Sequence, residues 1–167
     1  MTFLDFFSGI GGFRLALERA GHICLGHCEI DTYADRSYRA IFEVKDDEWF
    51  APDITKIDPA ELPQADAFVG GFPCQAFSIA GRGRGFEDTR GTLVFDVLRL
   101  AKARKPPILL LENVKGLVSH DAGRTFQTII NSLCELGYTS KRSCIFFVRP
   151  FHKKPLIHNR IRGFTYN

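Results

Sequence analysis

A cysteine and a glutamate occupy positions in this sequence from which side chains could carry out covalent chemistry. Cys74 lies in the segment Gly-Gly-Phe-Pro-Cys-Gln-Ala-Phe-Ser at 70–78, after the apolar run 67–69 that predicts a short buried strand. The glycine pair permits a tight turn and a close approach to a ligand, and Pro73 restricts the backbone before the thiol. Because a thiolate attacks carbon well, Cys74 is a candidate nucleophile. A buried inert thiol is the alternative, but it would not need such a loop.

Glu112 follows a second apolar run, residues 108–111, and precedes Asn113 and Val114. The fully apolar run predicts a central strand that is covered on both faces. We expect a carboxylate delivered by such a strand to be partly desolvated, which suits a group that donates a proton near neutral pH. An ordinary acid in a surface turn is the alternative.

A glycine-rich turn near the start of the chain predicts a ligand site. Residues 2–7 form a predicted buried strand, and Ser-Gly-Ile-Gly-Gly at 8–12 forms the turn. The following helix has an expected apolar face of Phe13, Ala16, Leu17 and Ala20. A strand, a glycine turn and a helix in this order are typical of nucleotide-binding α/β units. The glycine spacing departs from G-x-G-x-x-G, which argues against an NAD enzyme.

Two acids are placed to contact a nucleoside. Glu29 follows the predicted strand 23–28 and lies 18 positions after Gly11, about where α/β domains bind ribose hydroxyls. Asp53 stands in Pro-Asp-Ile at 52–54, a short piece expected to be extended. Asp53 either caps a turn or accepts a hydrogen bond from an adenine amino group.

The other predicted elements complete an open α/β fold, with a mainly parallel sheet and helices on both faces. They are a helix at 31–42, a helix from Thr92, a helix capped by Asp121 and a strand at 143–148. The apolar positions expected on these three helices are Ala34, Tyr38 and Ile41, then Leu93, Val94, Val97, Leu98 and Ala101, then Phe126, Ile129, Ile130, Leu133 and Leu136. In such a fold the glycine turn, Cys74 and Glu112 converge at one edge of the sheet.

Length and composition set the class of protein. The 167 residues suit one domain, and no apolar run is long enough to cross a membrane or to serve as a signal peptide. The five cysteines are odd in number and irregularly spaced, so we expect reduced thiols rather than a disulfide framework. His22, Cys24, His27 and Cys28 could be metal ligands, but their spacing matches no zinc knuckle and strand alternation puts both cysteines on one face. We therefore expect no metal, and a cytoplasmic location.

Positive charge is concentrated in two segments that could bind nucleic acid. The loop 81–91 carries Arg82, Arg84 and Arg90 among four glycines, which suits phosphate contacts, although an ordinary solvated loop has the same composition. Residues 136–167 hold seven Lys and Arg and no Asp or Glu. This end could bind nucleic acid, or could be a foreign or disordered tail.

Over about residues 2–138 these motifs resemble the cytosine-C5 DNA methyltransferase family, with Gly-Phe-Pro-Cys-Gln-Ala-Phe-Ser, the glycine turn and Glu-Asn-Val as its most specific matches. The resemblance implies a Rossmann-like fold and the cofactor S-adenosyl-L-methionine, which becomes S-adenosyl-L-homocysteine. It implies that Cys74 and Glu112 are catalytic. The implied cofactor-binding residues are Phe7, Gly9, Ile10, Gly11, Gly12, Glu29, Ile30, Asp53, Ile54, Pro73 and Leu93. The implied DNA-binding residues are Gln75, Ser78, Arg82, Arg84, Arg90, Asn113, Arg160 and Arg162.

The mechanism that the resemblance implies acts on a cytosine flipped out of double-stranded DNA. The Cys74 thiolate adds to C6 of the base while Glu112 protonates or hydrogen-bonds N3. The C5 atom then takes the methyl group, and loss of the C5 proton releases Cys74.

The C-terminal part departs from the family pattern. The family has a Gln-x-Arg-x-Arg motif followed by a target recognition domain, whereas this chain has His-Asn-Arg-Ile-Arg at 158–162 and ends at Asn167. We therefore expect a catalytic domain at 1–138, a divergent basic tail at 139–167 and a fold that is incomplete at the C-terminus. The expected function is a DNA (cytosine-5-)-methyltransferase of the restriction-modification type, truncated and impaired, in a prokaryotic cytosol. The alternatives are an inactive remnant, one half of a split enzyme whose second chain supplies the recognition domain, and a tRNA cytosine-C5 methyltransferase of the same fold.

Overall fold

The computed structural model describes residues 1–73, 93–141 and 146–148, and contains a single seven-stranded sheet within that part of the chain. The strands are β1 (Thr2–Phe6), β2 (Ile23–Cys28), β3 (Trp49–Ala51), β4 (Ala67–Gly71), β5 (Ile108–Glu112), β6 (Thr139–Lys141) and β7 (Phe146–Val148), in the order β3-β2-β1-β4-β5-β7-β6. β1 to β5 pair in parallel, and β7 is antiparallel to both β5 and β6. The predicted α/β class with a mainly parallel sheet is confirmed.

Helices cover both faces of the sheet. They are α1 (Gly12–Arg19), α2 (Thr32–Phe42), α3 (Leu93–Arg104), α4 (Gly116–Ser119) and α5 (Arg124–Glu135). On one face, Leu4 and Phe68 of the strands pack with buried residues of α3 and α5 in the larger core cluster. On the other face, Phe3 and Val69 pack against Phe13 and Leu17 of α1. None of the helices in the described ranges is long and apolar enough to cross a membrane.

The strand order reverses at β1, because β2 lies on one side of it and β4 on the other. At such a switch point the loops leaving the two neighbouring strands diverge and open a crevice at their carboxyl ends. The glycine turn leaves β1 there, between the ends of β2 and β4. The fold therefore positions Glu29, the glycine turn and the Gly71–Pro73 segment along one edge.

Two predicted helix faces are partly wrong. In α1, Phe13 and Leu17 pack on the sheet, but Ala16 and Ala20 are exposed and Arg14 is buried at 6% exposure. The burial of Arg14 follows from its ion pairs with Glu18 and Glu48, which a search for apolar periodicity cannot detect.

In α2, Tyr38 is fully buried as predicted, whereas Ile41 is 55% exposed. Phe42 takes the expected place of Ile41, because its ring packs against Tyr38 at 4.9 Å between centroids. The predicted apolar faces of α3 and α5 are confirmed, with buried or partly buried side chains at every expected position.

A β-bulge corrects the prediction that Cys24 and Cys28 share one face of β2. The β1–β2 register shifts between Phe3 and Leu4, so that Phe3 pairs with Cys24 but Leu4 pairs with Gly26. The extra residue reverses the alternation. Cys24 therefore packs in the smaller core cluster and Cys28 in the larger one on the opposite face.

Asp121 does not cap α5 as predicted. The N-cap is Gly123, and Asp121 has a positive φ of 51° within the preceding 3₁₀ turn. Its carboxylate instead accepts a hydrogen bond from Nε of Arg124 at 2.9 Å. Of the strand predicted at 143–148, Phe146–Val148 forms β7 and the remainder lies outside the described residues; β6 was not predicted. The division of the chain at residue 138 stays a prediction.

Candidate cofactor and catalytic site

The glycine turn is held in a conformation that requires glycine. Gly9 and Gly11 have φ values of 53° and 93°, and Phe7 also has a positive φ of 54°. A Cβ atom on Gly11 would lie 2.1 Å from the Phe42 ring, so a side chain there would collide as well as strain the backbone. The Gly11 N–H donates to the Ser8 carbonyl at 2.8 Å, and the Ser8 N–H donates to the Cys28 carbonyl at 3.2 Å. The turn is thus tied to the end of β2.

The Glu29 carboxylate connects the glycine turn to the start of α2. One oxygen, Oε2, accepts from the Gly9 N–H at 2.7 Å, and Oε1 accepts from the Asp31 N–H at 2.8 Å. The Glu29 N–H itself donates to the Ala51 carbonyl of β3 at 3.3 Å. Each carboxylate oxygen has a second lone pair available, so the group can still accept from ligand hydroxyls.

Asp53 caps a 3₁₀ turn, Ile54–Lys56, which confirms one of its two predicted roles. Its Oδ1 accepts from the Thr55 N–H at 3.0 Å and from the Thr55 hydroxyl at 2.7 Å. The hydrogen bond from the Thr55 side chain, together with that from the Thr55 backbone, lowers the pKa of Asp53. Oδ2 accepts no hydrogen bond from any described residue, and the adenine contact stays a prediction. Within the segment 52–54, Asp53 is extended as expected, with φ −139° and ψ 111°, whereas Ile54 begins the 3₁₀ turn.

Three apolar residues of the predicted cofactor set differ in exposure. Ile10 in the glycine turn is 64% exposed and Ile30 after β2 is 72% exposed, so both can pack against an apolar or aromatic ligand group. Ile54 is buried at 3% exposure, which leaves its backbone but not its side chain for a cofactor. Gly12 is the first residue of α1 and Leu93 the first of α3.

Glu112 lies at the end of β5, paired in register with Gly71 of β4. Its side chain is exposed, so the desolvation expected from the apolar strand is not found. A Cβ on Gly71 would lie 3.0 Å from Oε2 of Glu112, and the absent side chain leaves room for the carboxylate beside the strand end. No donor among the described residues bonds this carboxylate.

Asn113 links the ends of β4 and β5. Its Nδ2 donates to the Phe72 carbonyl at 2.7 Å, and its Oδ1 accepts from the Val114 N–H at 2.9 Å. Both polar groups of the amide are thus bonded inside the protein, and a DNA contact by Asn113 stays a prediction. Pro73, which follows Phe72, is exposed. The other predicted catalytic and DNA-binding residues lie outside the described residues: Cys74, Gln75, Ser78, Arg82, Arg84, Arg90, Arg160 and Arg162.

Asp5 is a buried acid beneath the glycine turn that sequence reasoning did not single out. It is 0% exposed, and neither carboxylate oxygen has a hydrogen-bond partner in the described part of the chain. Burial raises the pKa of Asp5 well above its ordinary value, more strongly than the positive charge of Arg14 lowers it. An acid within the otherwise apolar run 3–7 was the available signal.

A buried polar network on the α1 and α2 face was also missed. Nη1 of Arg14 pairs with Glu48 at 2.6 Å, and Nε2 of the fully buried His27 lies 2.8 Å from Oδ1 of Asp35. Burial lowers the pKa of His27 against the opposing effect of Asp35. An open cavity of about 440 Å³ borders this network, and none of the predicted site residues lines it. The described residues of the predicted site lie at the carboxyl edge of the sheet and not at this cavity.

Comparison with known proteins identifies the family of this chain. The family model of the C-5 cytosine-specific DNA methylases matches residues 1–146. The type II methyltransferase M.NgoBI of Neisseria gonorrhoeae is 49% identical over 136 residues, which cover 81% of this chain and 42% of that protein. M.HhaI of Haemophilus parahaemolyticus, also a type II methyltransferase, is 45% identical over 139 residues, or 83% of this chain and 41% of that protein.

A solved structure shows the same fold at lower identity. A Spodoptera frugiperda DNMT2 variant superposes with a TM-score of 0.64 at 22% identity, over 83% of this chain and 42% of its own. The chain spans about two fifths of the length of the two curated relatives named above. Because the family model covers most of the sequence, the chain belongs to the C-5 cytosine-specific DNA methylase family.

Proposed function

We propose that this chain is the catalytic part of a DNA (cytosine-5-)-methyltransferase that uses S-adenosyl-L-methionine. The observation that carries the proposal is the common edge of β1, β2 and β5, where Gly9 is bonded to Glu29 and an open Glu112 stands beside Gly71. Family membership gives this edge its chemistry, since the relatives at 45–49% identity are methyltransferases.

The residues present fit an adenosyl cofactor. The glycine turn offers a side-chain-free surface, and the Glu29 carboxylate can accept from ribose hydroxyls. Asp53 offers Oδ2, which no described residue bonds, to the adenine amino group, and the exposed Ile30 offers an apolar contact to the ring. The cofactor, when bound, supplies an electrophilic methyl group on a sulfonium.

We infer that Cys74 and Glu112 act on opposite sides of the cytosine ring system. The Cys74 thiolate forms a bond to C6, and Glu112 donates a proton or a hydrogen bond to N3, so that electron density moves to C5. After C5 gains the methyl group, transfer of the C5 proton to a base such as water re-forms the C5–C6 double bond and expels the Cys74 thiolate, and N3 returns any proton that it received to Glu112. Asn113 contributes by holding the Phe72 carbonyl, two residues before Cys74.

The substrate we propose is a cytosine flipped from double-stranded DNA, because extrusion brings C6 within reach of a side chain. The arginines of the loop 81–91 would contact phosphates, and Gln75 and Ser78 would lie near the base. We assign sequence-specific recognition to a region outside the two fifths of the relatives' length that this chain matches. Either the same polypeptide or a second chain supplies that region. A tRNA substrate is the weaker alternative. The likeness to the DNMT2 structure, at 22% identity, shows the fold alone and gives no support for a particular substrate.

The test is methyl transfer from radiolabelled S-adenosyl-L-methionine to duplex DNA and to tRNA. It is run on the chain alone and with the recognition region of a relative added as a separate polypeptide. We expect label in DNA with at least one of these preparations, and its loss in Cys74→Ser but not in Cys134→Ser, whose thiol is exposed on α5. Label that survives Cys74→Ser, label in tRNA only, or no label in either preparation would contradict the proposal.

A further inference from the structure

Arg99 of α3 makes two hydrogen bonds to backbone carbonyls of the turn that Asp53 caps. Its Nη1 donates to the Ile57 carbonyl and its Nη2 donates to the Ile54 carbonyl, both at 2.9 Å. Its Nε is 3.3 Å from Oδ1 of Asp96 on the same helix. The guanidinium therefore bridges α3 and a turn that lies more than 40 positions earlier in the sequence.

The turn needs such a partner because it is very short. It contains three residues, and its Ile57 N–H to Ile54 O bond is long at 3.4 Å. Helical turns leave their last carbonyls without an internal partner, and a cation at that end stabilises them. The planar guanidinium offers two N–H donors in a fixed geometry, which an ammonium group cannot reproduce. Arg99 thus restrains the end of the turn opposite to the Asp53 cap.

The same turn is capped by Asp53, a residue of the proposed cofactor site. The Ala51 carbonyl, two residues before Asp53, accepts the Glu29 N–H. The orientation of Asp53 relative to Glu29 is therefore set on one side by β3 and on the other by the turn that Arg99 holds. Because misplacement of a contact group by about 1 Å can cost orders of magnitude in function, this restraint matters for a ligand.

We propose that Arg99 is a positioning residue for the adenosyl group: it fixes the Asp53 turn so that the Asp53 carboxylate meets the adenine amino group. Arg99 acts through the Ile54 and Ile57 carbonyls and does not touch the ligand. The inference rests on the proposed function, since it assumes an adenosyl cofactor at this edge.

The chain offers a matched control. Arg124 on α5, like Arg99, pairs with an aspartate three positions before it, but its hydrogen bonds in the structure go to the Asp121 carboxylate. Arg99→Lys keeps the positive charge next to Asp96 and removes the two-carbonyl bridge. Arg124→Lys makes the same chemical change at a site away from the cofactor edge.

The first measurement is calorimetric binding of S-adenosyl-L-homocysteine and of its inosine analogue, which lacks the adenine amino group. We expect Arg99→Lys to weaken binding of the first ligand about tenfold, the loss of about one charge-assisted hydrogen bond, and to change the inosine analogue much less. Arg124→Lys should change neither ligand, and Arg99→Lys should add little to Asp53→Ala. Equal weakening of both ligands, or unchanged binding by Arg99→Lys, would overturn the positioning role.

The second measurement separates this inference from the proposed function. Hydrogen exchange of the unliganded chain should become faster at the amides of residues 55–57 in Arg99→Lys and stay unchanged there in Arg124→Lys. Unchanged exchange in Arg99→Lys means that Arg99 does not hold the turn, whatever binds to it. Exchange that is faster in Arg99→Lys shows that Arg99 holds the turn. If the parent chain then binds neither S-adenosyl-L-methionine nor S-adenosyl-L-homocysteine, the cofactor assignment is refuted, and with it the ligand role of Arg99.

Discussion

Glu29 and Glu112 each stand where a parallel strand reaches the same edge of the sheet, yet they are held differently. Both oxygens of Glu29 accept backbone N–H groups, whereas the exposed carboxylate of Glu112 accepts none from the described residues. The cofactor half of the site is thus organised by its own backbone before a ligand binds. In the proposed base half, the end of β5 places the Glu112 carboxylate beside Gly71, and no described residue bonds it.

The largest expected difference between the two halves is in the stability lost when a glycine is replaced by alanine. Gly11→Ala should lower the free energy of unfolding by about 3 kcal/mol, because the new Cβ meets the Phe42 ring at 2.1 Å at a positive φ. Gly71→Ala should cost less than about 1 kcal/mol, because the Cβ meets only the movable end of Glu112 at 3.0 Å. Urea unfolding of both variants checks this. Equal losses would mean that the two halves are equally rigid.

Asp5 makes the stability of the cofactor half depend on pH. Its folded-state pKa is raised above the ordinary value of 3.8, so the folded chain retains a proton that the unfolded chain loses. The neutral acid contributes its whole stabilisation below pH 3.8, and this stabilisation is lost as the pH rises through the pKa of Asp5 in the folded chain. Asp5→Asn should therefore gain stability relative to the parent, by up to about 1.4 kcal/mol per pH unit in that window. Urea unfolding of Asp5→Asn and of the parent at pH 5 to 8 measures this gain. A difference in the free energy of unfolding that does not change with pH would contradict the prediction.

Removing the two carboxylates should affect the unliganded protein unequally. Glu29→Ala removes both acceptors from the Gly9 and Asp31 N–H groups and should cost about 1.5 kcal/mol. Glu112→Ala removes an exposed side chain and should stay within about 0.5 kcal/mol. Thermal and urea unfolding without cofactor test the pair. A larger loss for Glu112→Ala would show that the base half depends on that carboxylate for its structure.

Asn113→Asp should lower the free energy of unfolding by about 1 kcal/mol. The substitution keeps the acceptor for the Val114 N–H and replaces the donor to the Phe72 carbonyl with an oxygen. We expect slower reaction of Cys74 with a cytosine analogue and unchanged cofactor binding. Asn131→Asp, at an exposed pair with Gln127 on α5, is the control. Cofactor binding that falls together with the reaction would mean that the two halves are not separable.

The parts of this site that depend on residues close together in the sequence could be predicted from the sequence. The glycine turn, the end of β2 at Glu29 and the end of β5 at Glu112 follow from local apolar runs and glycine positions. The β2 bulge could not be predicted, because it depends on pairing with β1. The bridge from Arg99 to the Asp53 turn was missed for the same reason, since its partners lie far apart in sequence.

The exposure of two charged side chains also differs from what the apolar pattern of the sequence predicts. Arg14 is buried because Glu48, 34 positions away, neutralises it. The expected burial of Glu112 was wrong because the strand ends at that residue and its side chain lies beyond the covered faces. Periodicity describes which side of an element is apolar, but not how a charged partner or a strand end changes that assignment.

The central claim is that Cys74 and Glu112 act together on a cytosine, and covalent capture tests it most directly. The chain, with and without a recognition polypeptide, is mixed with S-adenosyl-L-methionine and duplex DNA containing 5-fluorocytosine, which blocks release because C5 carries no proton. We predict a denaturation-stable adduct that peptide mass spectrometry places on Cys74, absent in Cys74→Ser and formed much more slowly in Glu112→Gln. An adduct on another residue, or one whose rate is unchanged in Glu112→Gln, would contradict the assignment of these two residues.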